Sequence, residues 1–426
     1  MPRLSKLPNG LSLVVAPVKG TKAATFLVLL PIGSRYEPAK ISGASHFVEH
    51  LMFKGTTKRP TTLDISRELD AVGAQFNAFT DKDRTGYWVK IDAAHQEKAL
   101  DILSDMIFHS KFEAAEVAKE KGVIIEEIRM YKDNPRSAAE LLFDNLMFGA
   151  AHPLGRDIAG TEKIIKAVTR DELFGYYKSA YAPNNLVLAA AGNINKKTMA
   201  LIREYFGAPK AAKTTLTKEK FARFFWSKKS KPMAARLAAE KRKVDQAHVF
   251  IGYPGLKITD PKRNVLAVLL NILGGNMSSR LFVEVREKRG LAYRVHADAV
   301  SYRDAGGVVI NAGLNPSRLK EAIAVIVAQC ARLAKQNVSA KELADAKSNL
   351  AGQLALSMED SSAQASWFAS KFWFEKNLAS YEEEIRKLKK VTASQVLKLA
   401  KEIFKEKEMR LAVISPFDKK EVAKLL

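Results

Sequence analysis

Cysteine is almost absent: Cys330 is the single one in 426 residues. That excludes an intramolecular disulfide and a thiolate metal cage, so any metal held by this chain rests on nitrogen and oxygen donors. Long apolar runs are missing too. No segment approaches the roughly 18 uninterrupted apolar residues of a membrane span, and Pro8, Asn9 and Gly10 stand where a signal peptide's apolar core would run. A soluble, cytoplasmic protein is expected. Proline is sparse, at 15, and 47% of residues are hydrophobic, a composition that leaves no place for extensive disorder.

Negative charge is the scarcer sign, with 46 Asp and Glu against 69 Lys and Arg, a net charge of +23. Such an excess raises the possibility of a nucleic-acid or acidic-membrane binding protein. Its distribution argues against that. Between Lys210 and Lys243 there are 12 Lys and Arg against Glu219 and Glu240, so 12 − 2 = +10 of the total lies in one stretch. The remainder is spread out, without zinc-finger spacing or an aromatic-rich RNA-binding strand. A solvated basic surface accounts for it, and no specific nucleic acid is expected.

The length exceeds what one core fills, so two domains are expected. Strand patterns at 11–17 and 23–33 precede two helical stretches near 43–54 and 61–72. Strand character returns over 74–92 around an Asp-Lys-Asp-Arg turn, helical periodicity fills 93–147, a helix covers 169–181, and 185–195 closes as a strand. Residues 210–243, rich in Lys, Ala, Thr and Ser, mark the interdomain linker, within which "FARFFW" (221–226) reads as a short anchor packing on a domain. The same order then recurs. A strand at 247–255, helices at 261–275 and from about Ser278, strands in "AYRVHADAVSY" and "AGGVVINAGL", long helices across 316–405 and a closing strand at 408–417 imply an internal duplication of roughly 200 residues per half. The expected fold class is α+β: two homologous domains, 1–209 and 244–426, each a mostly antiparallel sheet packed with helices.

The chain has only 7 histidines, yet His46, Glu49 and His50 fall within five residues in the apolar segment "SGASHFVEHLMFKGT". On a helix His46 and His50 project one turn apart from the same face, with Glu49 beside them. Two such imidazoles suit Zn²⁺, and a glutamate next to them but not bound to the ion suits a general base. The spacing His-x-x-Glu-His is that of the inverted zinc-protease motif. A third ligand is needed. The helical segment "EVAKEKGVIIEEIRMYKDNP" (116–135) places Glu120 and Glu127 two turns apart on one side, with Glu126 about 100° away. Glu127 is the candidate ligand, and Glu120 a carboxylate that orients a histidine.

On these residues the chain resembles the pitrilysin family of zinc peptidases, which includes insulin-degrading enzyme and the mitochondrial processing peptidases, and within it the branch with subunits of two homologous domains. The family's motif is followed by a metal-binding glutamate closing a Glu-x6-Glu pattern; here 127 − 50 = 77 and Glu120 opens the pattern. Similar stretches include "LPNGLSLV", "FNAFTDKDRTGYW", "HPLGRDIAGTEKII", "YAPNNLVLAAAGNI" and "GGNMSSRLFVEVREKRGLAY". The resemblance implies an endopeptidase with one Zn²⁺ per subunit on His46, His50 and Glu127, and Glu49 as the base. Arg286 and Tyr293, in the second half, would contact the substrate carbonyl. It also implies that oligopeptides or unfolded segments bind as an added strand near "FNAFT", at Asn77, Ala78 and Phe79, inside a chamber formed by paired subunits. Because one sequence carries both sets of residues, a homodimer with Arg286 and Tyr293 acting in trans is expected, with a heterodimer with a related subunit as the other arrangement. Two further classes compete: a non-catalytic helper subunit, which the complete ligand set disfavours, and the basic binding protein considered above.

Overall fold

The computed structural model describes residues 2–210, 214, 216, 221–227 and 232–425; much of the expected basic linker lies outside the described residues. The chain forms two compact units. The first comprises Met1–Ile128, Asp157–Ala222 and Ala355–Ser380, the second Arg129–Arg156, Arg223–Leu354 and Tyr381–Leu426.

In the first unit, strands β1 (Arg3–Lys6), β2 (Ser12–Pro17), β3 (Ala23–Leu30), β4 (Gln75–Thr80), β5 (Thr85–Asp92) and β6 (Val187–Gly192) form one sheet in the order β1-β2-β6-β3-β5-β4. All neighbours are antiparallel except β2 and β6. The β3 sequence AATFLVLL is apolar almost throughout because both sheet faces are covered. One face packs Phe26, Val28, Tyr87 and Val89 against the helices Ala44–Leu51, Gln96–His109 and Arg170–Ala180 through Phe47, Leu100, Leu103 and Leu173. On the other face, Val14, Leu27, Leu29 and Ala189 meet Ala365, Phe368 and Ala369 of the helix Ser361–Ser370.

The second unit repeats this plan. Strands β7 (Leu237–Lys241), β8 (Ala247–Pro254), β9 (Ala292–Ser301), β10 (Gly306–Leu314) and β11 (Arg410–Ser415) are ordered β7-β11-β8-β10-β9, with β7–β11 the one parallel pair. Taken in chain order, β7, β8, β9, β10 and β11 occupy the sheet positions of β2, β3, β4, β5 and β6. The α+β duplication inferred from the sequence is therefore the observed architecture. Helices Arg263–Gly274, Leu319–Lys335 and Ala393–Ile403 cover one face through Leu269, Ile326 and Leu399. The helix Pro135–Phe148 covers the other, setting Ala139, Phe143 and Met147 against Phe250, Val309 and Ala412.

Three features differ from the sequence reading. The units are not the contiguous stretches 1–209 and 244–426: the segment with Pro135–Phe148 belongs to the second unit and that with Ser361–Ser370 to the first. Helical periodicity reports an apolar stripe, not which sheet the stripe covers. The strand β7 lies inside the stretch whose composition marked it as linker; LAAEK has little strand propensity of its own, and parallel pairing with β11 supplies the order. The helical run 93–147 divides into Gln96–His109, Ala114–Asp133 and Pro135–Phe148, the last opened by Asn134 capping Arg136 and Ser137 with Pro135 at the first helical position. The anchor expected in "FARFFW" is present. Phe221 packs edge-on to Tyr36 under the Arg35 guanidinium in the first unit, while in the second Phe224 and Trp226 stack around Phe148. Among the described residues no helix is long and apolar enough to cross a membrane.

Candidate metal centre and active site

The helix Ala44–Leu51 buries Ala44, Ser45, Phe47, Val48 and Leu51 and turns His46, Glu49 and His50 toward its less buried side. Its start is fixed from outside. Gly43, at φ +101°, has no side chain to cap the helix, and a Cβ there would lie 2.6 Å from the Ala159 carbonyl oxygen. The cap is Glu37, fully buried, whose two carboxylate oxygens accept the N–H groups of Gly43 and Ser45, each at 2.6 Å. Burial pushes its carboxyl up to about 7 against the lowering effect of those hydrogen bonds.

Four residues converge on the exposed side. His46 Nε2 and His50 Nε2 are 3.2 Å apart, and Glu127 Oε2 lies 3.7 Å from the first and 3.5 Å from the second. Glu127 comes from the helix Ala114–Asp133, which also brings Glu120, buried, to His50: Nδ1–H donates to Glu120 Oε1 at 2.9 Å. The other Glu120 oxygen is 2.8 Å from Lys54 Nζ. Of this acidic pair, Glu127 thus stands among the imidazole Nε2 atoms and Glu120 behind the ring of His50.

The protonation state of His46 suits cation binding. Burial, with the neighbouring His50, drives His46 down to about 4, so its ring is neutral and Nε2 offers a lone pair. Burial opposes charge on His50 as well, but the hydrogen bond and charge of Glu120, with the charges of Glu127 and Glu49, outweigh it and raise its pKa. Glu120 itself is held below the usual carboxylate range, its burial outweighed by His50 and Lys54.

Ligands about 2.0–2.1 Å from a tetrahedral Zn²⁺ stand about 3.3 Å from one another, close to the three separations here. His46 Nδ1 is buried without a hydrogen-bond partner among the described residues, which leaves Nε2 as the ring's anchoring atom. The donors therefore fit zinc: two imidazole Nε2 atoms and a carboxylate, with a carboxylate behind one ring in the arrangement common to zinc-bound histidine. Among the described residues this is the single cluster of three or more such donors.

Glu49 stands beside the cluster and outside it. Its carboxylate accepts a hydrogen bond from the Thr80 hydroxyl on β4, and burial raises its pKa against that bond's lowering effect. Among the described residues the edge strand β4 pairs only with β5. At the hairpin end Asp81 N–H donates to the Arg84 carbonyl, so the alternation of an antiparallel ladder turns the main-chain groups of Phe76, Ala78 and Thr80 toward the open edge and those of Asn77 and Phe79 toward β5. Ala78 thus has its backbone available, its N–H now held by the Asn77 side chain at 2.8 Å. Phe79 is placed differently. Its ring lies over Gly86 in the cluster on the far face of the sheet, so it packs the fold and does not face the histidines.

In the second unit, Arg286 sits in one turn of π-helix, Phe282–Glu287, and Tyr293 near the start of β9. The Arg286 guanidinium lies 4.8 Å from the Phe282 ring centroid and 5.0 Å from that of Tyr293, which is 77% exposed. Cation and phenol form one exposed pair. Sequence reasoning did not find Glu37, Lys54 or Thr80. Lys54 follows His50 by four residues, just past the end of the helix, a spacing that could have suggested it. Glu37 and Thr80 reach the site only through the fold.

Residues 13–162 match the family described as insulinase, peptidase family M16, and residues 167–350 match the domain described as the peptidase M16 inactive domain. The chain is 35% identical to an uncharacterized zinc protease of Streptomyces coelicolor, over 99% of this chain and 91% of that one. It is likewise 35% identical to the uncharacterized zinc protease YmxG of Bacillus subtilis, over 96% and 97%. Among solved structures, a protease from Helicobacter pylori superposes with a TM-score of 0.89 at 25% identity, covering 98% of this chain and all of that one. A structure described as a peptidase M16 inactive domain, from Pseudomonas fluorescens, shares the fold with a TM-score of 0.88 at 20% identity and 98% coverage of both. With the two M16 domains in order between residues 13 and 350, and relatives 35% identical over nearly its whole length, the chain belongs to peptidase family M16, the insulinase or pitrilysin family, in its two-domain form.

Proposed function

We propose that the protein is a zinc-dependent endopeptidase acting on oligopeptides or unfolded protein segments. The observation that carries this reading is the convergence of His46 Nε2, His50 Nε2 and Glu127 Oε2 within 3.7 Å, with Glu49 beside them and outside the donor set. When bound there, zinc supplies Lewis acidity toward a water molecule and a peptide carbonyl. The protein's own groups do the rest. Glu120 fixes the His50 tautomer, and burial keeps His46 unprotonated. Glu49, its pKa raised by burial, takes the proton of the attacking water and hands it to the leaving amine. The open edge of β4 offers main-chain donors and acceptors at Ala78 to an extended peptide, a mode of binding that depends little on substrate sequence. Arg286 and Tyr293 are the groups that the family resemblance assigns to the developing oxyanion, a role that a guanidinium and a phenol can fill.

Glu49→Gln is expected to abolish cleavage of a quenched peptide, by at least about 10²-fold, while zinc remains stoichiometric by elemental analysis. Cleavage surviving that substitution would remove Glu49 as the base. The second reading, a non-catalytic helper subunit, takes its support from the description of the matched C-terminal domain as inactive. It predicts a wild-type protein that holds zinc and cleaves nothing at low concentration unless a related subunit is added.

A further inference from the structure

Glu49 sits on the last turn of a short helix, and its carboxylate hangs on three rotatable bonds. Among the described residues one hydrogen-bond donor reaches it, the hydroxyl of Thr80. That donor does not belong to the helix or to the metal-binding set. It is the last residue of the edge strand β4, with Thr85 opposite it and the Asp81–Arg84 hairpin immediately after. Strand alternation gives Thr80 two separate duties. Its side chain lies on the same face as Phe76 and Ala78, toward the helix Ala44–Leu51, while its N–H and C=O point along the sheet plane to the open edge.

We propose that Thr80 is a positioning residue that holds the Glu49 carboxylate in place and ties its orientation to the filling of the β4 edge. An extended peptide that adds to this edge hydrogen-bonds the main chain of Ala78 and Thr80. It thereby stiffens the strand end from which the Thr80 hydroxyl reaches Glu49. The base is then most firmly aimed when a substrate backbone lies beside it, and a peptide that fails to pair with the edge meets a base held by one mobile contact. Thr80 acts through Glu49 and does not itself touch the reacting atoms. The proposal rests on the peptidase reading above.

The test compares Thr80→Val, which keeps the branched shape and strand propensity and removes the hydroxyl, with Thr80→Ser, which keeps the hydroxyl. In the zinc-loaded full chain, Thr80→Val is expected to lower kcat on a quenched peptide by about 10- to 100-fold. KM and zinc content should stay within about 3-fold, and Thr80→Ser should restore most of the rate. A fluorescent peptide binding to the inactive Glu49→Gln protein should bind equally well when Thr80→Val is added. An unchanged kcat in Thr80→Val overturns the proposal. So does Thr80→Ser as impaired as Thr80→Val, which would indicate packing alone, and so does weakened peptide binding in the Glu49→Gln background, which would make the Thr80 hydroxyl itself a substrate contact. These outcomes leave wild-type cleavage intact and are distinct from an inactive wild type, which removes the peptidase reading and this proposal with it.

Discussion

Glu37 shows how much of the site rests on a residue with no chemistry of its own to perform. A fully buried carboxylate is costly, yet here it replaces the cap that Gly43 cannot provide and fixes the first turn of the helix that carries His46, Glu49 and His50. Its pKa of about 7 in the folded chain lies above the ordinary 4.5. The folded state therefore holds the proton more tightly, and the stability this confers is full below about pH 4.5 and lost as the pH rises through 7. Chemical denaturation of the wild type and of Glu37→Gln across pH 4 to 8 should diverge, the wild type losing about 3 kcal/mol more over that window. Parallel pH profiles for the two proteins would show that Glu37 stays ionised throughout.

At the scale of elements, the site is assembled from two helices and a strand edge, and the start of the helix Ala44–Leu51 is fixed by close packing. Gly43 combines a left-handed backbone with a carbonyl 2.6 Å from where its Cβ would stand, so Gly43→Ala strains the chain in two ways. A loss of about 1–3 kcal/mol in unfolding free energy is expected, together with weaker zinc retention, because the strain enters at the helix that carries the proposed ligands His46 and His50. Gly122, two residues after Glu120 on the ligand-bearing helix Ala114–Asp133, is the control: nothing lies within 4 Å of its Cβ position. Gly122→Ala should be neutral or stabilising by up to about 1 kcal/mol. Equal destabilisation by both substitutions, read from urea midpoints, would assign the effect to general helix perturbation.

At the scale of the whole molecule, duplication has produced two units of the same topology and different surface chemistry. The helix Ala44–Leu51 has its counterpart in Arg263–Gly274, whose sequence RNVLAVLLNILG carries no metal-binding side chain. Conversely, the start of β9, the counterpart of β4, carries Tyr293 next to Arg286. If these complementary sets meet between subunits of a symmetric pair, Glu49→Gln and Tyr293→Phe chains mixed at equal amounts should regain activity. Half of the dimers would be mixed and each would hold one intact site, giving roughly a quarter of the wild-type rate. No recovery after demonstrated subunit exchange would mean that each chain uses its own pair.

The sequence by itself determined which candidate metal and base residues share a helix face. His46, Glu49 and His50 lie within about one helical turn, Glu120 and Glu127 two turns apart, and helix geometry converts those spacings directly into shared faces. The recurring order of strands and helices likewise made the duplication legible, because each half repeats the same alternation of periods 2 and 3.6. Only the tertiary structure decided what depends on contacts between distant segments. It assigned Pro135–Phe148 and Ser361–Ser370 to their sheets, made β7 a strand, and turned Phe79 to the far face while Thr80 faced the site. It also brought Glu37 beneath Gly43. A buried carboxylate or an edge-strand hydroxyl leaves no periodic trace. Its role is set by what the fold places opposite it, and that is a property of packing, not of spacing.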